Sequence, residues 1–203
     1  LVTAVDEAVL AAALPIVTRW NANRAERLLE PLTLWVNLSA HHLLEPAAVD
    51  RILDLVDAGH GPVHLGVELT ESALLDDPVA AAGLLARLRG AGLGVAIDDF
   101  GTGYSSLAGL RSLPATHLKV DRRFVRGLLT DNRDRAIVTA TLQLAHSFGL
   151  GVTAEGVETV EQAAELARLG CDLAQGYLYA KPVSSDDLEK ILGTALERPP
   201  LGA

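Results

Sequence analysis

The chain alternates short apolar runs with longer stretches in which apolar residues recur at helical spacing. Six runs have the character of strands, over 32–38, 63–69, 94–98, 117–120, 151–154 and 172–175. Between them lie helical stripes such as 133–148, where Ile137, Thr141, Leu144 and Phe148 share one face. The strand starts are separated by about 20–35 residues, a spacing typical of repeated βα units. The pattern therefore predicts an α/β protein built on a parallel sheet.

The ends of the chain and the number of strands limit the possible architectures. Residues 4–20 have helical spacing interrupted by Pro15, and residues 188–195 form a final amphipathic stretch, after which 198–203 should fray. The spacing of Thr159 and Gln162 predicts a capping box at the start of another helix. Six strands are two fewer than a TIM barrel contains, so a barrel lacking two strands is the first interpretation. An open, doubly wound six-stranded sheet is the alternative.

Polar residues follow the apolar runs at the points where the strands should end. They are Asn37, Glu68, Asp98 with Asp99, Lys119 with Asp121, Glu155, and Gln175. In a parallel barrel all of these ends meet at one face. Two like charges about 4 Å apart repel by roughly 4 kcal/mol at an effective dielectric constant near 20, so the acids require cations or protons. Carboxylates with one amide favour Mg²⁺ or Mn²⁺ over zinc.

The consecutive Asp98 and Asp99 would normally point to opposite faces of a strand. We expect Gly101 and Gly103 to let the backbone bend, so that both acids reach one ligand. One carboxylate could then bridge two ions, with Lys119 beside them to hold a water molecule or to stabilise phosphoryl charge. Two such ions can clamp the entering and leaving oxygens of an in-line displacement, which predicts metal-assisted phosphoester hydrolysis.

Each of these polar residues also has an ordinary structural explanation. A single acid at a strand end more often caps a turn or a helix, and Asn37 could do the same. Glu71 and Glu158 could be solvated loop acids, an explanation that fits as well as a role in supporting the metal ligands. The Gln175 side chain could hydrogen-bond to backbone groups and not to substrate. Five acids at successive strand ends, with a lysine among them, are harder to explain in this way.

Composition narrows the class of protein further. The 203 residues fit one domain, and a net charge of −9 excludes a general surface for DNA or RNA polymers. The single Cys171 excludes an internal disulfide and favours a reducing, cytoplasmic compartment. A stretch of about 18 apolar residues, as a membrane helix requires, does not occur in the sequence.

Six segments together resemble one family. They are Val36-Asn37-Leu38-Ser39-Ala40, Glu68-Leu69-Thr70-Glu71-Ser72, Asp98-Asp99-Phe100-Gly101-Thr102-Gly103-Tyr104-Ser105-Ser106-Leu107, Leu118-Lys119-Val120-Asp121, Ala154-Glu155-Gly156-Val157-Glu158-Thr159 and Gln175-Gly176-Tyr177. In this order they resemble the EAL-domain family, phosphodiesterases of cyclic di-GMP. The resemblance implies a TIM-like barrel with one antiparallel strand, two Mg²⁺ or Mn²⁺ ions, and hydrolysis of cyclic di-GMP to linear pGpG.

The resemblance also implies a role for each matching residue. Ligands of one metal would be Asn37, Glu68 and Asp98, and ligands of the other Asp98, Asp99 and Glu155. Lys119 would bind the attacking water with Asp121 beside it, so that Lys119, Asp121 and Glu155 form the catalytic set and Gln175 lies near water and substrate. Glu71, and with it Glu158, would anchor the loop over 100–107, which in this family couples the second metal to dimerisation.

The sequence departs from the family at its amino-terminal end. In this family a Glu-Ala-Leu signature supplies a metal-binding glutamate, and an arginine follows it. Neither occurs in the sequence. Glu7-Ala8-Val9 looks similar, but it lies within a helical pattern and does not match the signature. We therefore expect residues 1–203 to be a single, amino-terminally incomplete EAL domain of a longer protein, and little turnover by this piece alone.

In its natural setting the resemblance implies a cytoplasmic homodimer attached to upstream sensory or GGDEF-type domains, through which the full-length protein could be membrane-anchored. The alternative is an inactive domain that serves as a cyclic di-GMP receptor or a protein-interaction module.

Overall fold

The structure, a computed structural model, describes residues 2–39, 45–57, 64–75, 78–101, 110 and 113–195. In chain order the described elements are α1 (Val2–Glu26), β1 (Thr33–Asn37), α2 (Pro46–Asp57), β2 (His64–Thr70), α3 (Glu71–Leu75), α4 (Pro78–Gly90), β3 (Gly94–Phe100), β4 (His117–Val120), α5 (Arg122–Gly127), α6 (Asn132–Ser147), β5 (Gly151–Ala154), α7 (Val160–Arg168), β6 (Leu173–Ala174) and α8 (Ser185–Ala195). The expected fraying of 198–203 falls outside the described residues.

The six strands form one parallel sheet in which each strand pairs with its neighbour in sequence, in the order β1-β2-β3-β4-β5-β6. A doubly wound sheet would instead reverse its strand order at a switch point. The sequential order gives a curled half-barrel with helices, which excludes the open-sheet alternative and confirms the prediction of a TIM-like barrel with six parallel strands.

The two faces of the sheet have different environments. On β2, Leu65, Val67 and Leu69 are 1–3% exposed and belong to the hydrophobic core. Because side chains alternate along a strand, the intervening Gly66 and Glu68 lie on the opposite, concave face. The concave face therefore carries the candidate site.

An aromatic side chain fills the amino-terminal end of the concave face. The Trp35 ring lies so close to Gly66 and Gly94 that a Cβ atom there would come within 2.3 Å and 2.9 Å of it, respectively. The ring also meets His117 edge-on, with the ring centroids 4.9 Å apart. This packing leaves the carboxyl ends of the strands for polar chemistry.

In the described part of the chain, two short helices were not predicted, and both follow strands directly. Helix α3 begins at Glu71, immediately after β2, and α5 begins after Asp121, whose carboxylate accepts a hydrogen bond from the Arg123 amide at 2.7 Å. The predicted capping box at Thr159 is confirmed, since both of its reciprocal hydrogen bonds with Gln162 are present.

The short strand β6 is fixed at its start by a carboxylate. Asp172 accepts hydrogen bonds from the Val152 amide at 2.8 Å and from His146 Nε2 at 3.0 Å. Burial alone would raise the pKa of Asp172, but these hydrogen bonds outweigh it and the pKa is lowered. The same carboxylate therefore ties β6 to both β5 and α6.

At the two ends of the described chain, Arg19 on α1 and Glu189 on α8 form an exposed ion pair at 3.1 Å.

Among the helices that the structure describes, none has both the length and the apolar character needed to cross a bilayer.

Candidate metal centre

Lys119 lies at the centre of a group of acids on the concave face. Its Nζ is 2.6 Å from Glu68 Oε2, 2.5 Å from Glu155 Oε1 and 3.4 Å from Asp98 Oδ1. The lysine side chain is 7% exposed and that of Glu68 is 9% exposed. An ammonium group and three carboxylates from four successive strand ends thus meet in a largely buried space.

The register of the sheet explains this meeting. Glu68 pairs with Ala96 on β3, two residues before Asp98, and Lys119 pairs with Thr153 on β5, two residues before Glu155. Residues two apart on a strand share a face, so all four side chains point into the half-barrel. The Glu155 amide still donates to the Val120 carbonyl at 3.1 Å, which extends the ladder and holds Glu155 at the rim.

Asp98 and Asp99 reach the same side because the backbone turns at Asp99 itself. The pairing of β3 with β4 shifts register between Ile97 and Phe100, and Asp99 adopts a left-handed φ of +54°. Aspartate tolerates this region better than most residues, but it still costs about 1 kcal/mol or more. The Asp99 amide then donates to Asp98 Oδ1 at 2.9 Å.

The bend that the sequence led us to expect at the glycines is present, but it begins earlier, at Asp99. Gly101 does have a φ of +92°, but the register shift and the first left-handed residue precede it. Gly103, the other glycine of that expectation, lies outside the described residues.

As a result of this turn, Asp98, Asp99 and Glu155 each offer a carboxylate oxygen, and these oxygens all lie within 4.8 Å of one another. Such a separation is compatible with oxygen ligands around a shared cation. The three residues are partly buried, so a cation there would be partly shielded from solvent.

Two acids of the cluster have raised pKa values, mainly because they are partly buried and in part because other carboxylates lie nearby. Burial raises the pKa of Asp99, and the neighbouring carboxylates of Asp98 and Asp121 raise it further. Burial also raises the pKa of Glu155, and the hydrogen bond and charge of Lys119 only partly offset this. One ammonium group does not compensate the acids around it.

Lys119 itself is held in its charged form. Burial lowers the pKa of its ammonium group, but the hydrogen bonds to Glu155 and Glu68 more than offset this effect and the pKa is raised. Without a bound cation, the protonated form of Lys119 is therefore favoured at physiological pH.

The donor set fits a hard divalent cation. All of the clustered side chains offer carboxylate oxygens, which Mg²⁺, Mn²⁺ and Ca²⁺ prefer, and the described residues of this cluster include neither cysteine nor histidine. The nearby carboxylates add to the effect of burial on the pKa values of Asp99 and Glu155, and a cation bound here would offset that contribution.

The remaining predicted site residues lie around this centre. Asn37 pairs with Glu68 in register and is exposed, and the exposed Gln175 is tied to the sheet through its backbone, which donates to Ala154 at 2.8 Å and accepts from Val157 at 3.0 Å. Asp121 caps α5 and also lies beside Asp99. The sequence left open whether Asp121 caps a helix or belongs to the acidic site. In the structure it does both, since it caps α5 and lies next to Asp99.

The two glutamates predicted to anchor the loop have different surroundings. Glu71 is 2% exposed, and its Oε2 accepts a hydrogen bond from the Gly101 amide at 3.0 Å. Glu158 is exposed, and its amide donates to Gln162 Oε1 at 2.8 Å as part of the cap of α7. Residues 102–107 of the loop lie outside the described residues, so any contact that these glutamates make with them stays a prediction.

Sequence reasoning missed the packing that supports the site. Trp35 fills the space over Gly66 and Gly94, and Phe124 of the unpredicted helix α5 packs against Gly101. Glycines two residues before Glu68 and four before Asp98, on the concave face, were a signal that a large side chain must fit there.

Fold and site together define an α/β barrel-type protein with an acidic, lysine-centred site at the carboxyl ends of its strands. The family model for the EAL domain matches residues 1–182, so the chain belongs to the EAL domain family.

A relative and two solved structures resemble the chain. The cyclic di-GMP phosphodiesterase NbdA of Pseudomonas aeruginosa is 43% identical over 164 residues, which are 80% of this chain and 21% of NbdA. The PaMucR phosphodiesterase in complex with c-di-GMP has a TM-score of 0.84 and 39% identity, covering 91% of this chain and 73% of that one. The manganese and cyclic di-GMP complex of Klebsiella pneumoniae BlrP1 has a TM-score of 0.76 and 30% identity, covering 90% of this chain and 45% of that one.

The chain spans between about a fifth and two fifths of the length of four curated relatives that it matches.

Proposed function

We propose that this domain hydrolyses cyclic di-GMP to linear pGpG with the help of two Mg²⁺ or Mn²⁺ ions. The observation that carries the proposal is the cluster of Glu68, Asp98, Asp99 and Glu155 around Lys119. Membership of the EAL family supports it, as do relatives named for cyclic di-GMP hydrolysis and a related structure with manganese and cyclic di-GMP bound.

The residues would divide the work as follows. Asn37, Glu68 and Asp98 would hold one ion, and Asp98, Asp99 and Glu155 the other. When bound, such ions lower the pKa of coordinated water and neutralise phosphate charge. The buried ammonium group of Lys119 would orient the attacking water and stabilise negative charge on the phosphoryl oxygens.

Residues at the rim would complete the site. Asp121 would add negative charge beside Asp99 and fix the start of α5, and Gln175 would hydrogen-bond water and substrate. Glu71, together with Glu158, would anchor the loop over 100–107, which the hydrogen bond from the Gly101 amide to Glu71 supports.

The test is a hydrolysis assay on the natural protein, with Mn²⁺ or Mg²⁺ and cyclic di-GMP, followed by chromatography that separates pGpG from GMP. We expect pGpG as the product, metal dependence, and a loss of at least 100-fold in rate for Asp98→Asn, because the bridging carboxylate would lose its charge. Retention of a tenth of the rate by Asp98→Asn, or intact cyclic di-GMP with the natural protein, would contradict the proposal.

A second candidate function is binding without hydrolysis. An inactive domain of this family would bind the dinucleotide, or a protein partner, without cutting it. Equilibrium binding of labelled cyclic di-GMP to the chain with Mn²⁺, with chromatography of the same sample, distinguishes the two. Robust cleavage by the isolated chain would contradict this candidate.

The wider setting is also proposed. MucR of Pseudomonas aeruginosa, of which this chain spans 22%, is a bifunctional diguanylate cyclase/cyclic di-GMP phosphodiesterase. By analogy the domain would be joined to upstream sensory or GGDEF-type domains, act in the cytoplasm and form a homodimer. Light scattering of the purified natural protein tests the dimer, and a monomeric mass at micromolar concentration would contradict it.

A further inference from the structure

The left-handed turn at Asp99 needs support from residues around it. A non-glycine residue keeps such a backbone conformation only where the surrounding structure fixes it. The next residue, Phe100, is 9% exposed and pairs with Val120 of β4. The residue after that, Gly101, is also in the left-handed region and donates its amide hydrogen to Glu71 at 3.0 Å.

A second contact holds Gly101. A Cβ atom on Gly101 would lie 3.3 Å from Cε2 and 3.7 Å from Cζ of Phe124, and 3.8 Å from Cγ2 of Ile137. Gly101 is therefore packed against the edge of the Phe124 ring while its amide is bonded to Glu71. The position is fixed by one polar and one apolar contact from different elements.

Phe124 is itself firmly placed. It is 7% exposed, belongs to the core, and lies two residues after the Arg122 start of α5. The Arg123 guanidinium carbon lies 4.7 Å from the centroid of its ring. Because Asp121 both caps α5 and lies beside Asp99, the same short helix links the ring to the acidic site.

We propose that Phe124 is a positioning residue for the metal ligand Asp99. The Phe124 ring packs against Gly101 and holds it in place, and Gly101 in turn fixes the backbone turn at Asp99. This turn keeps the Asp99 carboxylate close to the carboxylates of Asp98 and Glu155. The inference rests on the proposed function only in taking these three carboxylates as metal ligands, and no contact between Phe124 and the substrate is required.

The test compares two substitutions of the same kind in the natural protein. Phe124→Leu removes the flat ring edge beside Gly101, and Phe148→Leu is the matched control at the exposed end of α6. Ile52→Val, in α2, is a control for mild loss of core packing. Each variant is titrated with Mn²⁺ alone by calorimetry, and its unfolding is followed in urea.

Loss of a residue that orients a metal ligand typically weakens metal binding by about 10–100-fold. We expect Phe124→Leu to weaken the Mn²⁺ site that includes Asp99 by about tenfold, while both controls bind as the natural protein does. In turnover assays, high Mn²⁺ should restore kcat without a change in KM for cyclic di-GMP. If Phe124→Leu does not fold, Ile137→Leu, which removes the Cγ2 methyl group beside Gly101 at similar volume, should show a smaller effect in the same direction.

Three results would overturn the positioning role. They are natural Mn²⁺ affinity in Phe124→Leu despite a loss of stability, equal weakening in Phe148→Leu or Ile52→Val, and absence of Mn²⁺ binding by the natural protein. The outcome is independent of the hydrolysis assay. A protein that binds Mn²⁺ in a Phe124-dependent way but leaves cyclic di-GMP intact would sink the proposed function and support the positioning role.

Discussion

Replacing Lys119 by methionine should destabilise the metal-free protein, and by more at high pH. The substitution keeps most of the side-chain volume but removes the ammonium group that contacts Glu68, Glu155 and Asp98 at 2.6, 2.5 and 3.4 Å. Removing one partner of a buried ion pair typically costs about 3–5 kcal/mol, since the other charge is left without compensation. With Lys119 7% exposed and Glu68 9% exposed, we expect about 3 kcal/mol at pH 8.

The pH dependence follows from the carboxylates that remain. The pKa of Glu155 is already raised with Lys119 present, and without the lysine it should rise further. A carboxyl group with a raised folded pKa binds more protons in the native state, so stability falls as pH rises from the unfolded pKa, about 4, through the folded value. Each pH unit in that window costs about 1.4 kcal/mol per extra proton. Lys119, with its raised pKa, stays charged throughout pH 5–8 in the natural protein.

The assay is urea denaturation at pH 5 and pH 8 in EDTA, with Lys190→Met as the control. Lys190 forms an exposed ion pair with Asp187, which should contribute at most about 0.5 kcal/mol. Added Mn²⁺ should stabilise both the Lys119→Met variant and the natural protein. At a Mn²⁺ concentration 100 times the Kd for the ion, the stabilisation should be about 2.7 kcal/mol. A Lys119→Met protein as stable at pH 8 in EDTA as the natural one would refute the reasoning.

Two further predictions concern the fold around the site. Gly66→Ala should destabilise the protein by about 1–3 kcal/mol, measured by urea denaturation, because a Cβ atom there would lie 2.3 Å from the Trp35 ring. Gly83→Ala is the control and should be neutral or stabilising, since a Cβ atom at Gly83 would have open space around it. Equal effects of the two substitutions would contradict the packing of Trp35. Asp172→Asn should weaken the two hydrogen bonds that hold β6, and because the pKa of Asp172 is lowered, the stability it contributes in the natural protein should be lost as pH falls below about 4. Acid titration followed by circular dichroism measures this, and an unchanged acid midpoint in Asp172→Asn would contradict it.

The parallel fold and the identity of the clustered acids were predictable from the sequence because both depend on local pattern. Side chains alternate along β2, which puts Glu68 on the face opposite the core residues. Lys119 and Asp121 are two residues apart, so the same alternation places both on one face, toward the half-barrel. Strand β4 (His117–Val120) and strand β5 (Gly151–Ala154) have the predicted bounds. These are strands with clear turn signals on both sides.

What the sequence did not reveal depends on tertiary contacts. Nothing in the local pattern of 94–100 marks Asp99 rather than a glycine as the turning residue, because the left-handed conformation is fixed by pairing with β4 and by contacts at Gly101. Helix α5 is only six residues long, too short for its apolar periodicity to be detected. Its importance comes from where it begins, beside Asp121.

The departure at Asp99 is what makes two adjacent acids useful together. In a regular strand Asp98 and Asp99 would face opposite sides, and one of them would enter the core beside Ile97. The register shift instead brings both carboxylates toward Glu155, at the cost of a strained backbone and of the raised pKa of Asp99. A cation at this point would relieve the electrostatic part of that cost. We therefore expect metal binding and the local order of β3 to be coupled, so that hydrogen exchange at the Gly101 amide slows when Mn²⁺ is added.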